Sequence, residues 1–299
     1  MSISIEHLTK RYGKFTAADD ITIDIPDGSV FGLLGPNGAG KTTTFKCVLG
    51  LAPVSAGKIL FDGKPLTPAT FEELAYVPER SVLYEWMTAG EHLEAHARAF
   101  KRFSRKRADD LMQMFSLDSS KRVRQMSKGM RTALSVVMAF ALEPKTMILD
   151  EPTSGLDPVN QRAVLKLIID AAAQGVTVVL SSHQIGQVER AADHIAVLQH
   201  GRSVLTGAVD DLKATSKIVE GIFADEKIAV NGLASDSRIS RVERTGRILR
   251  LTVSGGGEEL AQKLSLMGAQ SVRIVDLNLE DIFLNAVDAG MSASIVETA

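Results

Sequence analysis

A strand–loop–helix pattern in residues 30–44 constrains the fold of this chain more than any other feature of the sequence. The apolar run from Val30 to Leu34 is typical of a buried strand. The loop that follows matches the pattern G-x-x-x-x-G-K-[ST], and a helix is expected to begin near Lys41. Glycines let such a loop turn tightly, so that successive backbone N–H groups point into one concavity that suits phosphate oxygens. A turn without a ligand would not require this order of strand, loop and helix.

The loop therefore predicts a binding site for a nucleoside triphosphate. The positive N-terminal end of the following helix favours the same anion. Lys41 would reach the β- and γ-phosphates, and the hydroxyl of Thr42 would hold Mg²⁺. The predicted nucleotide-binding residues of the loop are Gly35, Asn37, Gly38, Ala39, Gly40, Lys41, Thr42 and Thr43.

Composition narrows the class of protein. The 299 residues suffice for one large domain and a small one, and the net charge of −2 argues against bulk electrostatic binding to nucleic acid. The single cysteine, Cys47, excludes an internal disulfide and fits a reducing compartment. The sequence lacks an apolar export segment and any run long enough to span a bilayer. We expect a soluble intracellular protein whose membrane work is done through a partner.

Apolar periodicity predicts an α/β fold with a largely parallel sheet, a helical insertion and a small α+β domain. The expected domains are a core of residues 1–82 and 144–210, a helical domain of residues 83–143, and a regulatory or docking domain of residues 211–299. The expected strands near the N-terminus are Ile3–Leu8 and Ile21–Ile25, and the expected helices of the insertion include Glu91–Phe103 and Lys106–Phe115. A strand–helix–strand unit is expected between Ile248 and Val275.

A second chemical signal lies at the end of the apolar strand that begins at Thr146. The strand ends in two adjacent carboxylates, Asp150 and Glu151, whose side chains point in different directions because strand side chains alternate. Asp150 can approach Mg²⁺, whereas Glu151 can face an attacking water as general base. The pattern is common by itself and becomes specific together with the phosphate loop.

Three further motifs resemble those of the ATP-binding cassette (ABC) ATPases. They are the signature-like Met126-Ser127-Lys128-Gly129-Met130, the D-loop-like Ser154-Gly155-Leu156-Asp157, and Ser181-Ser182-His183, which is similar to the switch-histidine region. The order and spacing of all these motifs match the family over roughly residues 1 to 215.

The resemblance implies a phosphate-loop ATPase core with an edge of β-structure, and a mechanism with two cassettes. They would face head to tail with two ATP molecules between them, and Ser127 and Gly129 of one copy would touch the γ-phosphate bound by the other. His183 would contact the γ-phosphate and respond to its loss. Tyr12 falls where the family stacks an aromatic ring on adenine; its local pattern alone left that role and a surface tyrosine equally open.

Two motifs depart from the family pattern. In the signature, Met130 stands in place of the final glutamine. Lys128 replaces the first paired glycine of the signature, so its side chain must point away from the phosphates or add positive charge to them. Glu79 stands where the family has a glutamine. Its carboxylate still offers an oxygen to Mg²⁺ or to the water. We therefore expect Glu79 both to bind Mg²⁺ and to take part in catalysis.

The Tyr-Val-Pro-Glu loop, the signature and the Leu-Glu-Asp-Ile-Phe terminal helix resemble the ATP-binding subunits of ABC-2-type bacterial exporters. That resemblance implies a separate transmembrane permease, a second cassette and a peripheral position on the inner face of the cell membrane. We expect the second cassette to be another copy of this chain, and the sequence leaves a mixed pair open. Two alternatives are an ABC ATPase acting on nucleic acid or ribosomes and a nucleotide-binding regulator without turnover. One phosphate loop, no CxxC pair and no long insertion argue against the first.

Overall fold

The chain forms two compact units, Met1–Ser203 and Val204–Ala299. The computed structural model describes residues 1–225, 233, 236–289 and 296–297, so the expected domain 211–299 lies partly outside the described residues. The division into three domains, with its separate helical part, stays a prediction.

The chain opens with three strands, then mixes strands and helices, and has three successive α-helices between Ala89 and Ala141. In chain order they are β1 Ile3–Tyr12, β2 Phe15–Ile25, β3 Val30–Leu34, α1 Lys41–Val48, β4 Ala56–Phe61, β5 Lys64–Pro65, α2 Pro68–Phe71, β6 Leu74–Val77, α3 Ala89–Ala99, α4 Arg105–Met114, α5 Lys128–Ala141, β7 Thr146–Asp150, α6 Pro158–Ala173, β8 Thr177–Ser181, α7 Ile185–Ala191, β9 His194–Gln199, β10 Arg202–Ala208, α8 Val209–Thr215, β11 Ser216–Ile222, β12 Ile239–Thr245, β13 Ile248–Ser254, α9 Gly257–Leu266, β14 Ser271–Asp276, α10 Leu279–Ala289 and β15 Val296–Glu297.

Two sheets build the first unit. One is antiparallel with strand order β2-β1-β4-β5, and in the other the strands β9-β3-β8-β7-β6 are neighbours in this order and run parallel. A buried cluster that includes Ile5, Ile23, Phe31 and Phe45 joins both sheets to α1. Because all five strands run in one direction, the carboxyl ends of β3, β7 and β8 meet at one edge. The fold is the expected α/β arrangement with a largely parallel sheet.

The central strands have sequences suited to burial on both faces. Every residue of β3, β7 and β8 is buried, and these strands consist mainly of apolar and β-branched residues. Helix α5 buries its apolar side, which includes Leu134 and Val137. No helix in the described part of the chain is long and apolar enough to cross a membrane.

The first unit differs from the sequence expectation in element lengths. Strand β1 continues to Tyr12, and strand β2 already begins at Phe15, because the two strands pair through the whole hairpin. The helix expected over Glu91–Phe103 ends at Ala99. Phe100 has an extended backbone there, and the Ser104 side chain caps the next helix by accepting a hydrogen bond from Arg107 N.

The second unit is a sheet of order β14-β11-β13-β12-β15 with α9 packed on it. Strands β13 and β14 both pair antiparallel with β11, so α9 connects two parallel strands that have β11 between them. Val219, Leu251, Leu260 and Leu264 lie in its core. The strand–helix–strand expectation described this connection, whereas β11 and β12 were not expected.

Gly32 in β3 provides a test of how tightly the first unit is packed. A Cβ atom there would overlap Val188 Cγ1 and lie 3.2 Å from Ile195 Cγ2. We expect Gly32→Ala to lower the free energy of unfolding by about 1–3 kcal/mol, the usual cost of overpacking. Urea denaturation measures this loss. Gly186→Ala is the control, because a Cβ atom on Gly186 in α7 meets nothing within 4 Å; equal effects of both substitutions would contradict the packing argument.

Candidate nucleotide-binding site

A cleft of about 410 Å³ opens at the edge where β3 and β7 end. It brings together ten of the predicted site residues and two that the sequence analysis missed. The lining residues are Phe15, Ala17, Asn37, Gly38, Ala39, Gly40, Lys41, Thr42, Thr43, Glu79, Asp150 and Glu151.

The phosphate loop connects β3 to α1 as predicted. Gly40 precedes the helix with φ +106°, a conformation that a side chain would strain, and a Cβ atom there would lie 2.5 Å from the Ala17 carbonyl oxygen. Lys41 Nζ donates to the carbonyl oxygens of Gly35 at 2.7 Å and Pro36 at 3.2 Å. Burial lowers the pKa of Lys41, and the nearby carboxylates of Glu151, Asp150 and Glu79 oppose that shift. The loop thus holds a partly desolvated cation beside carboxylates.

Asp150 connects three elements of the cleft. Its buried carboxylate accepts hydrogen bonds from Thr42 Oγ1 at 2.8 Å and from Ser181 Oγ at 2.6 Å. Ser181 Oγ in turn accepts from Glu151 N at 3.0 Å. Both carboxylate oxygens therefore have partners, as a buried charge requires.

Glu151 has an unusual backbone conformation for a residue with a side chain. Its φ is +54°, which re-aims the chain at the end of β7 and is the kind of strain found at functional sites. Glu151 Oε2 lies 2.7 Å from His183 Nδ1. Burial raises the pKa of Glu151, with Asp150 adding to the shift, whereas His183 and Lys41 lower it. The structure thus pairs the two side chains that the sequence assigned to the water and to the γ-phosphate.

Glu79 follows β6 and lines the cleft near the same charges. Burial raises the pKa of Tyr76 to about 12, and the negative charges of Asp150 and Glu79 add to this shift. Glu79 is therefore close enough to Asp150 for both to act on one neighbouring side chain. Its carboxylate adds an acidic group to the cleft, together with Asp150 and Glu151.

The aromatic residue on the cleft is Phe15, not Tyr12. The two residues are partners across the β1–β2 hairpin, and both are exposed. The Tyr12 ring lies under Lys10 Nζ, 4.7 Å from the ring centroid, and is not among the lining residues. Stacking of adenine on Tyr12 stays a prediction. The sequence signal that was missed is an aromatic residue between Lys14 and Thr16, directly after the Gly13 turn.

Ser127 and Gly129 do not line the cleft of their own chain. Ser127 caps α5, since its Oγ accepts a hydrogen bond from Met130 N at 3.2 Å. The Lys128 side chain points to the D-loop-like segment, where Nζ donates to Ser154 Oγ at 2.8 Å. Of the two orientations that the sequence left open for Lys128, this contact favours the one directed away from phosphate.

Comparison with known proteins identifies the family of this chain. Residues 18–154 match the family model for the ABC transporter. The uncharacterized ABC transporter ATP-binding protein YhaQ of Bacillus subtilis (strain 168) is 33% identical over 96% of this chain and 99% of that protein. The Nod factor export ATP-binding protein I of Sinorhizobium fredii (strain NBRC 101917 / NGR234) is 32% identical over 95% of this chain and 85% of that protein.

A solved structure titled as the ATP binding subunit of an ABC transporter shares 34% identity and superposes with a TM-score of 0.66. It covers 72% of this chain, and the alignment spans 92% of that structure. Sequence likeness over nearly the whole length and likeness of fold therefore agree. The chain belongs to the ATP-binding subunits of ABC transporters, which bind ATP and hydrolyse it to drive transport.

Proposed function

We propose that two copies of this chain form a cassette pair that powers export through a separate ABC-2-type permease. The observation that carries the proposal is the convergence of Lys41, Thr42, Asp150 and Glu151 on one cleft. Export is the activity that the name of the Sinorhizobium relative gives to that protein. The proposal places this chain at the inner face of the cell membrane, held there by its permease.

The cleft suits a triphosphate with Mg²⁺. Among the described residues no group of three or more His, Cys, Asp or Glu side chains could hold a metal ion. Mg²⁺ is commonly bound by one or two carboxylates together with substrate phosphates, and it prefers oxygen ligands. Thr42 Oγ1 and Asp150 Oδ2, which lie 2.8 Å apart, fit that requirement, with Glu79 as the further carboxylate of the cleft. The ion would neutralise charge on the phosphates.

Glu151 is proposed as the general base. Its raised pKa makes the carboxylate more basic than an ordinary glutamate, and its ionised form can accept a proton from water. His183 holds this carboxylate through the 2.7 Å contact with Nδ1. The same histidine is proposed to contact the γ-phosphate. Loss of that phosphate would then be detected next to Glu151, the proposed general base.

The second copy completes the site. Ser127 and Gly129 lie at the N-terminal end of α5, whose backbone N–H groups and dipole favour an anion. Because these residues do not line their own cleft, we propose that they meet the γ-phosphate held by the other copy. ATP then joins the two cassettes, and its hydrolysis releases them.

The permease is proposed to bind an exposed apolar surface formed by Val82, Tyr84 and Trp86. Trp86 is 67% exposed, so its side chain lies on the surface and not in the core. The Tyr84 and Trp86 rings are 5.8 Å apart. Tyrosine and tryptophan are enriched at protein interfaces, where they act as anchors. The surface follows Glu79 directly in the chain, and Glu79 lines the cleft. A permease segment bound to the surface would therefore contact residues only a few positions away from a cleft residue.

Buried His92 fixes the backbone of this surface. Its Nε2 accepts a hydrogen bond from Tyr84 N at 3.0 Å, and its Nδ1 lies 2.9 Å from the Thr88 carbonyl oxygen. Since a backbone N–H can only donate, Nδ1 must carry the proton. Both nitrogens of a neutral ring are thus used to hold the segment.

Neither alternative function gains support. The relatives compared above are transporter ATP-binding proteins by name. The intact set of Lys41, Asp150 and Glu151 argues against a regulator without turnover.

We expect Lys41→Ala to abolish ATP binding. The substitution removes the cation that would meet the β- and γ-phosphates, and isothermal titration calorimetry measures the loss. Lys46→Ala is the matched control, because Lys46 is an exposed lysine on the same helix. Unchanged ATP affinity in Lys41→Ala would overturn the assignment of the loop.

Glu151→Gln should trap the ATP-bound pair. Glutamine keeps the shape but cannot accept the proton, so we expect hydrolysis to fall by about 10²–10⁴-fold, as for loss of a general base. Size-exclusion chromatography with saturating ATP should show a dimer, and the exposed Glu72→Gln should behave like the wild type. A Glu151→Gln variant that binds ATP and remains monomeric would contradict the cassette-pair mechanism.

Trp86→Ala should separate permease binding from ATP hydrolysis. Co-purification with the candidate permease, expressed from a neighbouring gene, should fall about tenfold or more, as expected for an interface anchor. ATPase activity of the isolated chain should stay unchanged. Leu266→Ala removes another highly exposed apolar side chain and serves as the control. Undiminished co-purification of Trp86→Ala would exclude this surface as the docking site.

A further inference from the structure

Three contacts connect the N-terminal part of α5, residues 128–132, to the D-loop-like segment Ser154–Gly155. Lys128 Nζ donates to Ser154 Oγ at 2.8 Å, and Thr132 Oγ1 donates to the Ser154 carbonyl oxygen at 3.0 Å. Between them Gly129 packs against Gly155 so closely that a Cβ atom on Gly129 would overlap the Gly155 carbonyl oxygen. Lys128 supplies the only charged group among these contacts.

The stem of Lys128 adds an apolar part to the connection. A Cβ atom on Gly155 would lie 3.0 Å from both Cγ and Cδ of Lys128, so the methylene groups cover the glycine. Gly155 has φ +79°, which allows the segment to turn under the lysine. The stem and the ammonium of one side chain thus hold two consecutive residues.

No acidic side chain explains the position of Lys128. In the described ranges the ammonium makes no ion pair, and its hydrogen-bond partner is the neutral Ser154 hydroxyl. The lysine also stands at the positive end of the α5 dipole, which is unfavourable for a cation. Its place in the structure is therefore determined by the contact with Ser154 and Gly155.

The segment that Lys128 holds is joined directly to Glu151. Ser154 N donates to the Glu151 carbonyl oxygen at 3.0 Å, and Glu151 carries the strained backbone described above. On the other side of Lys128 stands Ser127, which is proposed to meet the second copy's nucleotide. Lys128 therefore connects Ser127, which is proposed to meet the ATP of the second copy, to the segment next to Glu151, which is proposed to act on the ATP of its own copy.

We propose that Lys128 is a positioning residue that holds Ser154 and Gly155 against α5, and thereby keeps Glu151 aligned for hydrolysis when Ser127 engages the second cassette. Its ammonium is committed to Ser154 and is not a ligand of the γ-phosphate. This role rests on the proposed pairing of two cassettes.

A double-mutant cycle on the full-length protein tests the role. Lys128→Met keeps most of the stem and removes the ammonium, whereas Ser154→Ala removes the acceptor. We expect each to lower kcat for ATP by about tenfold, since small misplacements of reacting groups have effects of this size or larger. The double variant should lose no more than either single one, because both remove the same contact. KM for ATP should stay within about twofold, and Lys128→Arg, which keeps a donor, should recover most of the rate.

ATP-dependent pairing separates this role from phosphate binding. With Glu151→Gln as background, Lys128→Met should leave the ATP concentration for half-maximal dimer within about threefold of the parent. A shift of tenfold or more that Ser154→Ala does not share would show that Lys128 binds phosphate and would overturn the proposal. Additive losses of kcat, or wild-type kcat in both single variants, would also overturn it. Failure of the wild type to hydrolyse ATP would instead refute the proposed function, and with it this role.

Discussion

The hydrogen bonds to the buried Asp150 carboxylate are the interaction on which the rest of the site depends. Thr42 comes from the start of α1 and Ser181 from the end of β8, so one charged group joins the phosphate loop, β7 and β8. These bonds are possible because the parallel sheet brings the carboxyl ends of its strands to one edge. Glu151 follows at once and is joined to the same network through Ser181. The sheet order is thus the physical reason that residues far apart in sequence share one cleft.

Much of this arrangement could be predicted because the signals are local. The phosphate loop, the carboxylate pair at the end of β7 and the position of His183 each follow from a short run of residues next to a recognisable strand. Burial of β3 and β7 on both faces follows from their apolar composition. The ends of α3 and the extent of β1 were harder to predict, since an extended Phe100 and the cross-strand pairing of the hairpin depend on neighbours rather than on periodicity.

Contacts between distant segments could not be predicted from the sequence. The register of the β1–β2 hairpin places Phe15 on the cleft and leaves Tyr12 beside Lys10. The orientation of Lys128 does not follow from the sequence, because either direction is compatible with the first turn of a helix. The contact with Ser154 determines it. Such contacts determine which side chains face the cleft and which ones contact another loop instead.

The use of both His92 nitrogens has a consequence for assembly. Association loses free energy when flexible side chains and loops become ordered at an interface. The backbone at Tyr84 is already held by His92, and Glu85 and Met87 accept backbone hydrogen bonds from the segment before α5. The aromatic surface therefore offers a preorganised shape to the proposed permease, so that more of the apolar contact energy would remain as affinity and movement of the cassette would pass directly to the permease.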